Sequence, residues 1–186
     1  MTSPYSSVRA FFLLLIAFVA MTGCSNMGAS ADSSIEGDSR HALQSLYNTS
    51  PGARSLGAQA KGILVFPNVL KAGLVVGAQG GDGVLLVDDK LVGHYNTSAV
   101  SVGMQAGGQS FGYVLFFMTD SALSEFLQSK NFQIGVGPNI VIVDAGMAKD
   151  VNTLTGKADV YAMIFNQKGL MAGIGLQGSK ITKISK

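Results

Sequence analysis

The 186-residue sequence contains no tryptophan, one cysteine, two histidines and four prolines, and only 13% of its residues are charged. Each scarcity removes a class of explanation. The single cysteine, Cys24, excludes a disulfide framework within the chain. Two isolated histidines, His41 and His94, supply no ligand spacing for zinc, so no metal and no other cofactor is expected. Thirteen basic against eleven acidic residues leave a net charge of +2, too little for the footprint of a nucleic-acid binder, so no nucleic acid is expected as a partner. What is plentiful is apolar side chain (47%) and glycine (24 residues), a composition too apolar for disorder. The length suits one compact domain plus a processing segment.

That segment is legible. Residues Met1 to Cys24 read "MTSPYSSVRAFFLLLIAFVAMTGC": Arg9, an apolar stretch from Ala10 to Ala20, then small residues. This is the layout of a secretory signal peptide, with an apolar stretch about half the ~20 residues a spanning helix needs. Met21-Thr22-Gly23-Cys24 resembles a bacterial lipobox, in which the cysteine is lipidated and becomes the new N-terminus. The alternatives are an ordinary signal peptide cut near Ala20, or an uncleaved anchor. The preferred organisation is a signal peptide over 1–23, a lipidated polar tether over 24–33 beginning at Cys24, and a single domain over 34–186. Each buried methylene of a lipid chain contributes ~0.8 kcal/mol, so a covalent anchor at Cys24 carrying two or more chains holds permanently. Ser25 favours passage to the outer membrane, with the domain on its periplasmic face or at the cell surface.

In the remainder, the spacing of Ala42 with Leu46 and of Leu43 with Tyr47 predicts a helix from about Ser34 to Asn48. Ser50-Pro51 reads as an N-cap and first helical residue of a second helix to about Ala60. From Gly62 strands take over: "GILVFP", "GLVVGAQ", "GVLLVDD" and "KLVGHYN", with a hairpin turn at Asp88-Asp89-Lys90. Ala99 to Met118 alternates without an obvious break, and Thr119-Asp120-Ser121 caps a helix presenting Ala122 and Phe126 on one face. "FQIGVG" and "NIVIVDAG" follow as strands, and a terminal hairpin joins "DVYAMIF" to "LMAGIGLQ" through a turn at 166–169. The expected class is α+β: a strongly curved antiparallel sheet or barrel with N-terminal helices and one inserted helix.

The run from Gly173 to Gly178, "GIGLQG", matches a dinucleotide-binding fingerprint, but only eight residues follow, too few for the helix, second strand and acid the motif requires. On strands, the Gly-x-Gln spacing at Gly77/Gln79, Gly103/Gln105, Gly107/Gln109 and Gly175/Gln177 instead puts glutamine and glycine on a common face. This suggests a barrel-closing polar layer, with a lined ligand cavity as the sharper alternative. Gly108-Gln109-Ser110-Phe111-Gly112 imitates a nucleophile elbow, yet both histidines precede Ser110 and the flanks read as strand. Asp82, Asp88, Asp89, Asp144, Asp150 and Asp159 read mostly as turn and strand-end acids, Asp144 and Asp159 adjoining apolar strands. No catalytic constellation assembles, and the chain is not expected to be an enzyme.

Four longer stretches carry a resemblance: "AKGILVFPNVLKAGLVVGAQGGDGVLL" from Ala60, "GHYNTSAVSVGMQAGGQSFGYVLFFMTDSAL" from Gly93, "GVGPNIVIVDAGMAK" from Gly135, and "DVYAMIFNQKGLMAGIGLQGSKITKI" from Asp159. In this order they resemble the SYLF-domain family of bacterial lipoproteins and eukaryotic membrane-trafficking and actin-associated proteins. The resemblance implies lipid binding, which eukaryotic members achieve with a basic N-terminal segment and nearby lysines. The segment in this chain carries Asp32, Glu36 and Asp38 beside Arg40 and Arg54. The resemblance therefore carries lipid contact onto Lys61, Lys71, Lys180 and Lys183, with anionic membrane headgroups as the implied partner. The expectation is a non-enzymatic, lipid-binding lipoprotein of the bacterial cell envelope. The alternative is an envelope structural or interaction protein that binds another protein, of unknown identity, or peptidoglycan.

Overall fold

The computed structural model describes residues 27–102, 107–145, 158–169, 175–176 and 178–185. Cys24 and the expected signal peptide lie outside them. Two compact units divide the chain, Met1–Asp32 and Ser33–Lys186. Of the first, only the helical residues 27–32 are described.

Helix α1 spans Met27–Thr49, seven residues longer at its start than the pattern from Ser34 predicts. It thus occupies most of the stretch read as tether. "MGASADS" has no proline, and once the amphipathic part is nucleated each added residue costs little, so the helix propagates upstream. Helix α2, Pro51–Gln59, begins as expected: Ser50 is its N-cap and its hydroxyl accepts from the Ala53 N–H at 3.3 Å. Ala42, Leu43 and Leu46 of α1 and Ala53 and Leu56 of α2 bury their common stripe on one face of a sheet. They meet Val65, Val84, Leu86, Val114, Phe116, Tyr161, Met163 and Phe165 there.

The sheet has eight strands: β1 Gly62–Gly73, β2 Val76–Val87, β3 Lys90–Val102, β4 Gly107–Phe117, β5 Phe132–Gln133, β6 Ile140–Asp144, β7 Val160–Gly169 and β8 Lys180–Ile184. Helix α3, Asp120–Gln128, intervenes after β4, with Thr119 accepting from the Ala122 N–H at 3.2 Å as its N-cap. The strand order is β5-β8-β3-β2-β1-β4-β7-β6. Every neighbouring pair is antiparallel except the edge pair β6–β7, which is parallel, so the sheet is mixed. Residues from both edges, Phe132 and Ile181 at one and Val160 with Ile140 at the other, join a second core with Leu64, Phe66, Tyr113, Leu115 and Phe117. Edges that share a core require a sheet rolled about it, and the fold is a strongly curled half-barrel. The α+β expectation holds. Core on both faces explains why β4 reads as an almost unbroken apolar run from Phe111 to Phe117.

The roll has a local cause. A bulge at Pro67-Asn68 interrupts the registers of β1 with both neighbours. On one side of it a Cβ at Gly83 would strike the Val65 carbonyl, and on the other a Cβ at Gly112 would lie 2.9 Å from the Pro67 carbonyl. Glycine on both flanks lets β1 bend across its neighbours.

Three sequence expectations need correction. "GLVVGAQ" is not one strand: the β1–β2 turn lies inside it, at Leu74-Val75, without any of the usual turn residues to betray it. Ala99 to Met118 divides into β3 and β4. The turn expected at 166–169 is instead strand, because β7 continues through Asn166 (φ 52) to Gly169, and most of "LMAGIGLQ" lies outside the described residues. Near the C-terminus, Lys180 and Lys183 lie in β8, which pairs with β3 and β5. The turn at Asp88-Asp89 is as expected, both residues having positive φ (50 and 58) as a type I′ turn demands.

Candidate functional site

The four lysines singled out by resemblance do not form one patch. Lys61 precedes β1, donates its N–H to the Phe117 carbonyl at 2.7 Å and holds its ammonium 3.8 Å from Asp120 beside α3. Ten residues on, roughly 30 Å along an extended strand, Lys71 is buried with 6% exposure. On β8, Lys183 is in register with Tyr95 and shares its face, so it lies at the open edge of the inner core. Lys180 is in register with Ser98 and belongs to the outer face.

Register brings in a cation that the resemblance did not mark. Lys168 of β7 is opposite Ser110 of β4, which is opposite Leu70 of β1; Leu70 faces Gly80 of β2, Gly80 faces Ser98 of β3, and Ser98 faces Lys180. Directly opposed residues share a face. One row therefore crosses the outer surface with exposed lysines at both ends, roughly 24 Å apart along the sheet. Beyond it, Leu70–Gly80, Ser98–Val102 and Gly107–Ser110 contain no acid. Lys168 is legible in sequence only as one lysine of a basic C-terminal region; the β4–β7 pairing is what assigns it.

Beneath this row, on the inner face, Lys71 lies between Gln79 of β2 and Gln109 of β4. All three are buried. Gln79 donates to the Ser179 hydroxyl at 3.0 Å, and the Tyr113 hydroxyl donates to Thr97 at 2.6 Å. Burial pushes the Tyr113 phenol well above its ordinary range, an effect its bond to Thr97 offsets in part. The Gln109 Oε1 atom is buried with no partner among the described residues, and no ion pair or hydrogen bond joins the Lys71 ammonium to any of them. Two of the Gly-x-Gln glutamines thus form the anticipated inner polar layer, centred on a lysine the periodicity did not connect with them. Gln105 and Gln177 lie outside the described residues.

Elsewhere the chemistry is sparse. Ser110 sits inside β4 rather than at a strand-to-helix turn. Asp82 is mid-strand, not at a turn, and accepts from Asn96 Nδ2 at 2.7 Å. Asp144 accepts from Gln167. A cleft of about 450 Å³ between α1 and the sheet gathers Asp38, His41, Asn68, Asp82 and Asn166. Among the described residues no three histidines, cysteines or acids converge as metal ligands. None of the described helices is long and apolar enough to cross a membrane.

Residues 98–186 match the family model described as "Ysc84: Las17-binding protein actin regulator". The rat SH3 domain-containing YSC84-like protein 1 is 31% identical over 131 residues, covering 66% of this chain and 37% of the rat protein. The human protein of that name is 28% identical over 130 residues, with the same coverage. The chain thus spans little more than a third of the length of the curated relatives it matches. The family match and the similarity to these relatives place the chain in the Ysc84, or SYLF-domain, family.

Proposed function

We propose that this protein is a non-enzymatic, lipid-binding lipoprotein of the bacterial cell envelope, tethered through Cys24 to the outer membrane and contacting anionic headgroups with one end of its sheet. The supporting observation is the end of the half-barrel that is free of acids among the described residues, where Lys168 and Lys180 flank the outer face and Lys71 lies buried within. A basic residue near an anionic surface contributes about 1 kcal/mol, so this end gives weak, salt-sensitive attraction that orients a domain already held by its anchor. Lys183 lies three residues, about 10 Å, farther from this end on the inner side, so it contributes less. Lys61 lies at the far end of β1 beside Asp120, so it contributes little.

The test is co-sedimentation of the unlipidated polypeptide Ser25–Lys186 with phosphatidylglycerol-containing and with neutral vesicles, at low and high salt. Binding to the anionic vesicles that weakens with salt, and weakens further on Lys168→Glu with Lys180→Glu, is the expected result. Failure to bind either vesicle sinks lipid contact. It would favour the second reading, an envelope interaction protein, which the family description supports because it names a protein ligand, Las17. Incorporation of labelled palmitate, abolished by Cys24→Ser, checks the anchor.

A further inference from the structure

Six large apolar side chains among those described are exposed by 60% or more, and five of them lie at this same end: Leu70 (62%), Leu74 (72%), Val75 (64%), Val76 (60%) and Val100 (75%). Leu74, Val75 and Val76 form the whole connection between the opposed residues Gly73 and Gly77 of the β1–β2 hairpin. Hairpin connections ordinarily take glycine, asparagine or aspartate. The neighbouring β2–β3 hairpin does so, with Asp88 and Asp89. Three consecutive aliphatic residues at a turn bring no turn geometry of their own. The geometry comes from the glycines instead: a Cβ on Gly73 would meet the Gly77 backbone and lie 2.7 Å from the Val76 carbonyl. The chain is pinched by glycine so that the tip can be apolar.

We infer that the Leu74-Val75-Val76 tip is a membrane-inserting wedge, with Leu70 and Val100 behind it on the outer face. This rests on the proposed lipid contact and specifies how that contact is made. The surface is a hairpin connection exposed by 60–72% rather than the wall of a groove, so its fit is to a deformable medium. The row bearing Lys168 and Lys180 lies about 13 Å behind the tip along the strands. Apolar faces of interfacial elements sink roughly 5–10 Å, which leaves those ammonium groups at headgroup level. Charge and apolarity are thus arranged at the depths where an anionic bilayer presents phosphate and hydrocarbon.

The absence of tryptophan makes the test direct, because an introduced indole is the only one in the chain. Val75→Trp in the full chain, reconstituted into phosphatidylglycerol-containing vesicles, is expected to emit at shorter wavelength than in detergent-free buffer. Its emission is also expected to be quenched by lipids brominated on their acyl chains. Leu127→Trp, on exposed α3, should be unaffected. Independently, in the unlipidated polypeptide Ser25–Lys186, Leu74→Ser with Val75→Ser should weaken vesicle co-sedimentation at high salt at least about tenfold, since even one buried aliphatic side chain is worth about a decade, without moving the thermal midpoint. Co-sedimentation of the unsubstituted, unlipidated Ser25–Lys186 combined with an unquenched indole overturns the wedge and leaves lipid contact standing. No co-sedimentation sinks both. A blue shift that appears without vesicles and grows with protein concentration assigns the tip to a second copy of the chain and likewise overturns the inference.

Discussion

Lys71 sets stability against function, and Lys71→Met separates them. The ammonium sits in a side chain that is 6% exposed, between two glutamines, with no acid among the described residues to pair with it. Removing an ion from water costs several kcal/mol after relaxation, and buried charges are often replaced by apolar residues of similar volume with a gain of stability. Methionine keeps the unbranched stem and removes the charge. The glutamines remain, so part of the gain is lost to poorer solvation of their amides. A net stabilisation of about 1–3 kcal/mol is expected, which for a domain of this size raises the thermal midpoint by roughly 3–10 °C. Urea unfolding followed by circular dichroism measures it. Anionic-vesicle binding should weaken by up to about fivefold, the contribution of one basic residue directly at a charged surface. If Lys71→Met instead loses more than about 1 kcal/mol while vesicle binding is unchanged, the lysine is a structural member of the glutamine layer. The functional argument from its burial then fails.

Two further predictions concern the core. Phe126, 2% exposed, carries α3 into the inner core, with its ring centroid 5.0 Å from Tyr95, 4.9 Å from Phe117 and 5.1 Å from Phe132. Phe126→Ala should cost about 3–5 kcal/mol in urea unfolding, and a loss under 1 kcal/mol would mean that α3 is not docked. Alkali should also destabilise the fold. The Tyr47 phenol is pushed up to about 12, by burial first and by Asp89 second, and burial raises Tyr95 and Tyr113 as well. Between pH 10 and 12 the unfolded phenol has lost a proton that folded Tyr47 retains. Its stabilisation is therefore complete below pH 10 and declines as pH rises toward 12. Denaturant midpoints measured across that range should fall, and should fall less steeply in Tyr47→Phe.

The sequence by itself determined what short-range chemistry can determine. Ser50-Pro51 and Thr119 announce helix starts because a cap needs only its own hydroxyl and an N–H three residues on. Asp88-Asp89 announces a turn because few residues accept two successive positive φ values. The family was readable because long stretches keep their order. The Leu74-Val75 turn was not readable, because its geometry is imposed by an approach between Gly73 and Gly77 rather than by the turn residues. Nor could any local pattern show that β8 inserts between β3 and β5, or that β6 runs parallel to β7. Both depend on which edges of the rolled sheet share a core.

The same holds for the site. Resemblance selected Lys61, Lys71, Lys180 and Lys183 as equivalents, but pairing across strands separates Lys61 from the rest, buries Lys71 and sets Lys168 level with Lys180. A strand's own alternation tells which residues share a face. Which face is inner, which level each residue reaches and what stands beside it depend on register between strands distant in sequence, and only the tertiary structure decides that.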